Sequence, residues 1–233
     1  MTLVSYILPL RSWQPPTREF MAYVNQLAAV TDMIIVDGSD DALFAELDRA
    51  CLPGIRHVRP APELHTMKNG KVQGVLTGLT LARSECVVIA DDDVRYSVAA
   101  LDDIASSLAW ADVVRPQNYF DPLPWHARLD TARTLINRVA GGDWPGTLAV
   151  RLSTMRRLGG YDGDVLFENL ELVRTVEAAG GKAVSRPELL VRRLPPSTHH
   201  FWSQRVRQAY DEFARPARLG AALAVIPMLI ASW

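Results

Sequence analysis

The stretch Cys86-Val87-Val88-Ile89-Ala90-Asp91-Asp92-Asp93 reads as a buried strand that stops at three carboxylates. Five apolar residues in a row, without alternation, suit a strand covered on both faces. Three adjacent aspartates at its end repel one another and raise each other's pKa. In extended chain neighbouring side chains alternate, so Asp91 and Asp93 face one side and Asp92 the other. A divalent cation would relieve the repulsion. Hard carboxylate oxygens suit Mg2+ or Mn2+, which keep waters and bind substrate phosphates. Asp91 and Asp93 are therefore the candidate metal ligands. The competing reading is a solvated acidic turn that caps the next helix.

Upstream, strands and helices alternate. Residues 3–8 are strand-like and Pro9 closes them; residues 17–30 carry apolar side chains at helical spacing. Residues 33–36 form a second apolar strand that ends in the turn Asp37-Gly38-Ser39-Asp40. A helix over 42–50 and a strand over 55–58 follow. Lys68-Asn69-Gly70-Lys71 then opens a helix with Val72, Val75, Leu76, Leu79 and Ala82 on one face. This order predicts an α/β fold: a mostly parallel central sheet with helices on both faces and a Rossmann-like nucleotide-binding half. Ligands of such sheets bind at the carboxyl ends of the strands, where Asp37 and Asp91–Asp93 both fall. Asp37 can accept hydrogen bonds from a ribose hydroxyl or a base N–H, although Asp-Gly is also ordinary turn chemistry. Lys68 and Lys71 at a helix start favour phosphate, with surface lysines as the bland alternative.

Downstream the pattern is less regular. Helices are predicted over 98–110, 153–158, 168–179 and 199–214, and short strands over 112–116 and 148–151, with a loop-rich stretch at 141–146. The chain has 233 residues, 48% of them hydrophobic, and a formal net charge of -1. That predicts one ordinary globular domain with a terminal tail, and gives no reason to expect nucleic acid as a partner. The two cysteines, Cys51 and Cys86, have no metal-ligand spacing and point to a reducing compartment. The N-terminus lacks a charged n-region and is broken by Pro9, so no signal peptide is expected. Residues 219–233 are apolar or small throughout, short of the roughly 20 that span a bilayer. Arg205, Arg207, Arg215 and Arg218 precede them. A basic flank before an apolar tail suits an interfacial helix at an anionic cytoplasmic leaflet, and the alternative is packing on the domain's own core. The expected location is cytoplasmic, at the cytoplasmic face of the membrane.

In their order, Val36-Asp37-Gly38-Ser39, Lys68-Asn69-Gly70-Lys71, a helix with Gly78 and Ala82, and Asp91-Asp92-Asp93 resemble the nucleotide-binding half of glycosyltransferase family 2, with its GT-A fold. Tyr6-Ile7-Leu8-Pro9-Leu10 is similar to that family's first strand, and the aspartate triplet stands at its Asp-X-Asp motif. Asp143-Trp144-Pro145-Gly146-Thr147 resembles the acceptor-side loop. Gly159-Gly160-Tyr161-Asp162 and Phe167-Glu168-Asn169-Leu170-Glu171-Leu172 resemble the segment that carries the catalytic base. Gln204-Arg205-Val206-Arg207-Gln208 resembles the QxxRW motif of membrane-associated members, including the ceramide glucosyltransferase-like branch. The match runs from about residue 3 to 215; each motif is weak alone, and the ordered set is specific.

The resemblance implies a domain over 1–215, with a nucleotide-sugar half (1–97), an acceptor half (98–215), and an apolar tail (216–233) in possible contact with a membrane. It implies inverting, metal-dependent transfer of a sugar from a nucleoside diphosphate sugar to an acceptor hydroxyl, with a lipid or glycan as acceptor. Pro9, Asp37, Lys68, Lys71, Asp91 and Asp92 would hold the donor. Asp91 and Asp93 would bracket Mn2+ or Mg2+. Trp144, Gln204 and Arg207 would complete the substrate site. Two positions depart from the family. Asn169 stands where the usual base is an aspartate, so Glu168 becomes the candidate base, with Asp143, Asp162 and Asp164 in reserve. Gln208 replaces the tryptophan that closes QxxRW. Two other readings compete. A non-catalytic nucleotide-sugar-binding relative is favoured by Asn169. A sugar-phosphate nucleotidyltransferase would need a Gly-rich loop after the first strand, and Pro9-Leu10-Arg11-Ser12-Trp13-Gln14-Pro15 has no glycine.

Overall fold

A computed structural model describes residues 4–139, 145–165 and 167–213, the last seven by backbone only, and residues 220, 223–225, 227–228 and 230 beyond them. Strands β1 (Val4–Leu10), β2 (Asp32–Asp37), β3 (Arg56–Val58) and β4 (Cys86–Ala90) pair in parallel in the order β3-β2-β1-β4. Helices α1 (Arg18–Ala28), α2 (Asp41–Ala50) and α3 (Gly70–Leu81) connect them. Thr17, Asp40 and Asn69 cap these helices by accepting hydrogen bonds from N–H groups of the first turn.

Successive strand residues feed opposite faces of the sheet, which is why the strands read as unbroken apolar runs. Tyr6, Leu8, Met33, Ile35 and Val88 pack into one core with Phe20, Val24 and Leu27 of α1. Ile7, Ile34, Val36, Val87 and Ile89 pack into the other with Val72, Val75 and Leu79 of α3. Helix α3 lies unusually close to the sheet. A Cβ at Gly74 would sit 2.8 Å from Pro9 Cβ, and one at Gly78 would sit 2.5 Å from Ile7 Cγ2.

The second half comprises β5 (Val94–Arg95), α4 (Val98–Leu108), β6 (Val113–Phe120), α5 (Trp125–Val139), β7 (Thr147–Arg151), α6 (Leu152–Leu158), α7 (Glu168–Ala178), β8 (Ala183–Arg193) and α8 (Thr198–Phe213). One eight-stranded sheet, ordered β3-β2-β1-β4-β7-β6-β8-β5, runs through both halves. Its second half is mixed: β7 is antiparallel to β4 and β6, β8 is parallel to β6, and β5 is antiparallel to β8. The parallel arrangement expected from the sequence thus belongs to the first half.

Two long elements have no counterpart in the sequence reading. Strand β8 escapes because of its 183–193 only Leu189 and Val191 are buried, and its register against β6 shifts at Pro116/Gln117. Helix α5 escapes because it buries His126, Ala127 and Asp130 and turns apolar residues outward. Antiparallel pairing of Ala90 with Thr147 brings residues 145–146 beside Asp91, so the end of β4 and the start of β7 share one edge. Among the described residues, no helix is long and apolar enough to cross a membrane.

Candidate active site

The end of β4 is held on several sides. Asp91 N donates to Gly146 O at 2.9 Å, and Gly146 N donates to Asn118 Oδ1 at 2.9 Å. Thr147 Oγ1 donates to Ile89 O at 2.7 Å and lies 2.9 Å from the Tyr96 hydroxyl. The triplet forms a turn rather than extended chain, with Val94 N donating back to Asp91 O. Asp91 and Asp93 nevertheless share one partner. Arg193, at the end of β8, donates from Nε to Asp93 Oδ2 at 2.9 Å, and its Nη2 lies 3.5 Å from Asp91 Oδ2. Burial pushes Asp93 above the usual carboxylate range, Arg193 pulls the other way, and Asp91 adds to the rise.

Lys71, in the first turn of α3, joins the two halves. Its Nζ is 2.5 Å from Asp91 Oδ1 and 2.6 Å from Glu168 Oε1, the latter at the start of α7. Burial alone would lower the lysine pKa, but Asp91 and Glu168 outweigh it, so Lys71 stays charged. Three hydrogen bonds, each with a backbone group on at least one side, fix this meeting. Asn69 N donates to Gly163 O, Lys68 N to Asp164 Oδ1, and Asn69 Nδ2 to Val165 O. The segment before α7 is thereby clipped to the start of α3. Asn169 is occupied structurally: its Nδ2 donates to Pro145 O at 2.8 Å. Asp162 and Asp164 serve the turn here, Asp162 Oδ1 accepting from Asp164 N.

Lys71, Asp91, Glu168, Arg193 and Gln204 line a cleft of about 720 Å³, together with Lys68, Asp130 and Arg133. A second hollow, about 330 Å³, is lined by Ser12, Asp37, Ser39, Asp92, Asp93 and Arg95. A third, about 340 Å³, is lined by Pro9, Gly38, Lys68 and Lys71 and shares those lysines with the first. Asp37 is almost wholly buried. Its Oδ1 accepts from Ser39 N at 2.8 Å, and its Oδ2 lies 3.3 Å from His57 Nε2. Burial alone would raise its pKa, but the His57 and Ser39 hydrogen bonds outweigh that and hold it below the usual value.

The structure thus gathers Pro9, Asp37, Lys68, Lys71, Asp91, Asp92, Asp93, Glu168 and Gln204 around the carboxyl ends of β1, β2 and β4. Trp144 and Asp143 lie outside the described residues, as does the side chain of Arg207. Sequence reasoning missed Arg193, Arg133 and Asp130, and the pairing of Arg205 with Asp130. Asp130 accepts from Arg133 Nε at 3.1 Å and from Arg205 Nη2 at 2.6 Å. No local signal marks these residues, because each finds its role only when β8, α5 and α8 are brought to the cleft.

A divalent cation can be tested against these donors. Asp91 and Asp93 lie within the span of one guanidinium. Asp93 Oδ1 is buried with no hydrogen-bond partner among the described residues. No group of three or more His, Cys, Asp or Glu that could hold a metal occurs among those residues. Two carboxylates, completed by waters and phosphate oxygens, are the donor set that Mg2+ and Mn2+ commonly take. The pair fits such an ion, with Arg193 supplying the compensating charge in its place.

No protein-family model and no curated protein matches the chain. Solved structures do. A mannosyltransferase from Pyrobaculum calidifontis, in complex with GDP-Man and Mn2+, aligns with TM-score 0.59 and 20% identity over 92% of this chain and 64% of its own. Glucosyl-3-phosphoglycerate synthase from Mycobacterium tuberculosis, in complex with Mn2+, UDP and phosphoglyceric acid, aligns with TM-score 0.56 and 17% identity over 85% of this chain and 73% of its own. The fold is GT-A. A third GT-A neighbour, mannosyl-3-phosphoglycerate synthase from Rubrobacter xylanophilus, aligns with TM-score 0.52 and 14% identity over 93% of this chain and 76% of its own. This chain spans less than two thirds of the length of the mannosyltransferase it matches.

Proposed function

We propose that the protein is a divalent-metal-dependent glycosyltransferase of family 2 type that moves a hexose from a nucleoside diphosphate sugar to an acceptor hydroxyl with inversion. The observation that carries the reading is the Lys71 bridge. One ammonium lies between a donor-side carboxylate, Asp91, and an acceptor-side carboxylate, Glu168, in a cleft at the strand ends of a GT-A sheet. In this reading residues 1–97 bind the donor, residues 98–215 bind the acceptor, and Pro9 and Asp37 lie against the nucleotide. Lys68 and Lys71 meet the diphosphate, and Asp91 and Asp93 hold Mn2+ or Mg2+. Bound there, the ion would balance negative charge that builds on the leaving diphosphate.

Glu168 accepts the proton of the acceptor hydroxyl as that oxygen attacks the anomeric carbon. The bond from that carbon to the diphosphate oxygen breaks, and its electron pair leaves with the nucleoside diphosphate. Lys71 keeps Glu168 at the site. Asn169 holds the 145–146 loop beside Asp91, which supplies a reason for an amide where the family 2 motif has a carboxylate. Gln204, Arg207 and Trp144 complete the acceptor side. The acceptor is a lipid or glycan at the cytoplasmic face of a membrane, supported by the arginine-flanked apolar tail at 216–233 and by the likeness to QxxRW.

Calorimetric titration of the full chain with Mn2+ and with UDP or GDP tests the donor half of this reading. Metal-linked nucleotide binding is expected, and Asp93→Ala should abolish it. Wild-type behaviour of that variant would overturn the assignment. A thermal-shift screen of nucleoside diphosphate sugars would then identify the donor, since a ligand of the folded state raises the melting temperature.

A further inference from the structure

Helix α5 is inside out. Its buried face carries His126 and Asp130, while Trp125, Leu129, Ala132, Ile136 and Val139 follow one another along the outer face at spacings of four and three. The exposure is large: 52% for Trp125, 57% for Leu129, 66% for Ile136 and 93% for Val139. Helix α8 extends the patch with the exposed Trp202 and Val206. Trp125 and Trp202 meet with ring centres 6.4 Å apart, both resting on buried Phe201. An apolar stripe that continues across two helices is not scattered surface hydrophobicity; it marks a contact surface.

Charge decides what it contacts. The one carboxylate of α5, Asp130, points inward and is neutralised by Arg133 and Arg205. Its other charged residues are Arg128, Arg133 and Arg138, so the helix presents apolar and cationic groups and no exposed carboxylate. Paired tryptophans beside arginines suit the boundary between acyl chains and anionic headgroups. A second copy docked on the same face about a two-fold axis would bring like-charged patches together. The described tail residues Leu223, Val225, Met228 and Ile230 are themselves exposed.

We infer that the outer face of α5, with Trp202 and Val206 of α8, is a docking surface for an anionic lipid bilayer. The same helix turns Asp130 and Arg133 into the cleft, so docking sets the mouth of the cleft near the headgroups. The inference does not depend on the transfer reaction.

The test uses the full chain with vesicles of phosphatidylglycerol and phosphatidylcholine, some with brominated acyl chains. Sedimentation with the anionic vesicles is expected. The double variant Leu129→Asp/Ile136→Asp should weaken partitioning at least about tenfold, also when residues 219–233 are deleted from both proteins. Trp125→Phe, which leaves the surface apolar, should remove a measurable part of the bromine quenching. No vesicle binding, binding unchanged by the double variant, or unchanged quenching in Trp125→Phe would overturn the proposal. So would a dimer in solution that the double variant breaks without any vesicle binding.

Discussion

Arg193 Nε and Asp93 Oδ2 meet at 2.9 Å although a hundred positions separate them in the chain. The end of β8 thus supplies a fixed positive charge to the carboxylates at the end of β4. Arg193 itself is held charged: burial opposes this, and Asp93 and Asp91 outweigh it. Arg193→Met should cost about 3 kcal/mol of stability in metal-free buffer, because it strands the partly buried Asp93 and leaves Asp91 with Lys71 alone. Mn2+ should then stabilise the variant more than the wild type. Urea unfolding with and without Mn2+ measures both; equal Mn2+ effects on the two proteins would show that Asp91 and Asp93 do not take the ion.

Glu168→Gln keeps the shape of the side chain and removes its capacity to take a proton. Turnover should fall about 10²–10⁴-fold, while nucleotide affinity stays within a few-fold. A variant with full turnover would assign the base elsewhere.

Asn169→Asp, which places an aspartate where the glycosyltransferase family 2 motif that the sequence resembles has one, should not rescue Glu168→Gln. Asn169 Nδ2 donates to Pro145 O, and a carboxylate there would face a carbonyl without a proton to offer. The expected cost is about 1–3 kcal/mol, read as a lower melting temperature. Recovery of activity in the double variant would count against a structural role for the amide.

Asp37 gives a pH dependence with a definite sign. Its native pKa lies below the ordinary 3.8: burial would raise it, but hydrogen bonds from His57 and Ser39 prevail. A depressed carboxylate contributes stability that is fully present above its unfolded pKa and is lost as pH falls through the lower native value. Wild type should therefore exceed Asp37→Asn by about 1.5–3 kcal/mol at pH 7, with the gap closing below about pH 4. A gap that stays constant down to pH 3 would contradict the contribution of the ionised form.

The first four strands and the turns at their ends were legible in the sequence because each part announces itself locally. An unbroken apolar strand before Asp91–Asp93, an Asp-Gly turn after β2, and a helix opened by Lys68-Asn69-Gly70-Lys71 all lie within short windows. Glu168 was legible only through the likeness to a family. Arg193 was not legible, since it ends a strand whose buried residues are too few to show a period. Helix α5 was missed because the usual rule, apolar face inward, is reversed in it. Lys71 was read as a phosphate ligand, and its pairing with both Asp91 and Glu168 depends on the clip between residues 68–69 and 163–165, which no local pattern encodes.

The close seating of α3 turns two glycines into a gauge for the cleft. With no side chain at Gly74 or Gly78, the helix rests directly on Pro9 and Ile7, and Lys71 rides one turn ahead of Gly74. A single methyl at either position would act as a shim, lifting the helix from the sheet and drawing the lysine away from Asp91 and Glu168. The width of the cleft is thereby set by two positions that carry no side chain, and it could be re-tuned at Gly74 or Gly78 without altering Lys71, Asp91 or Glu168.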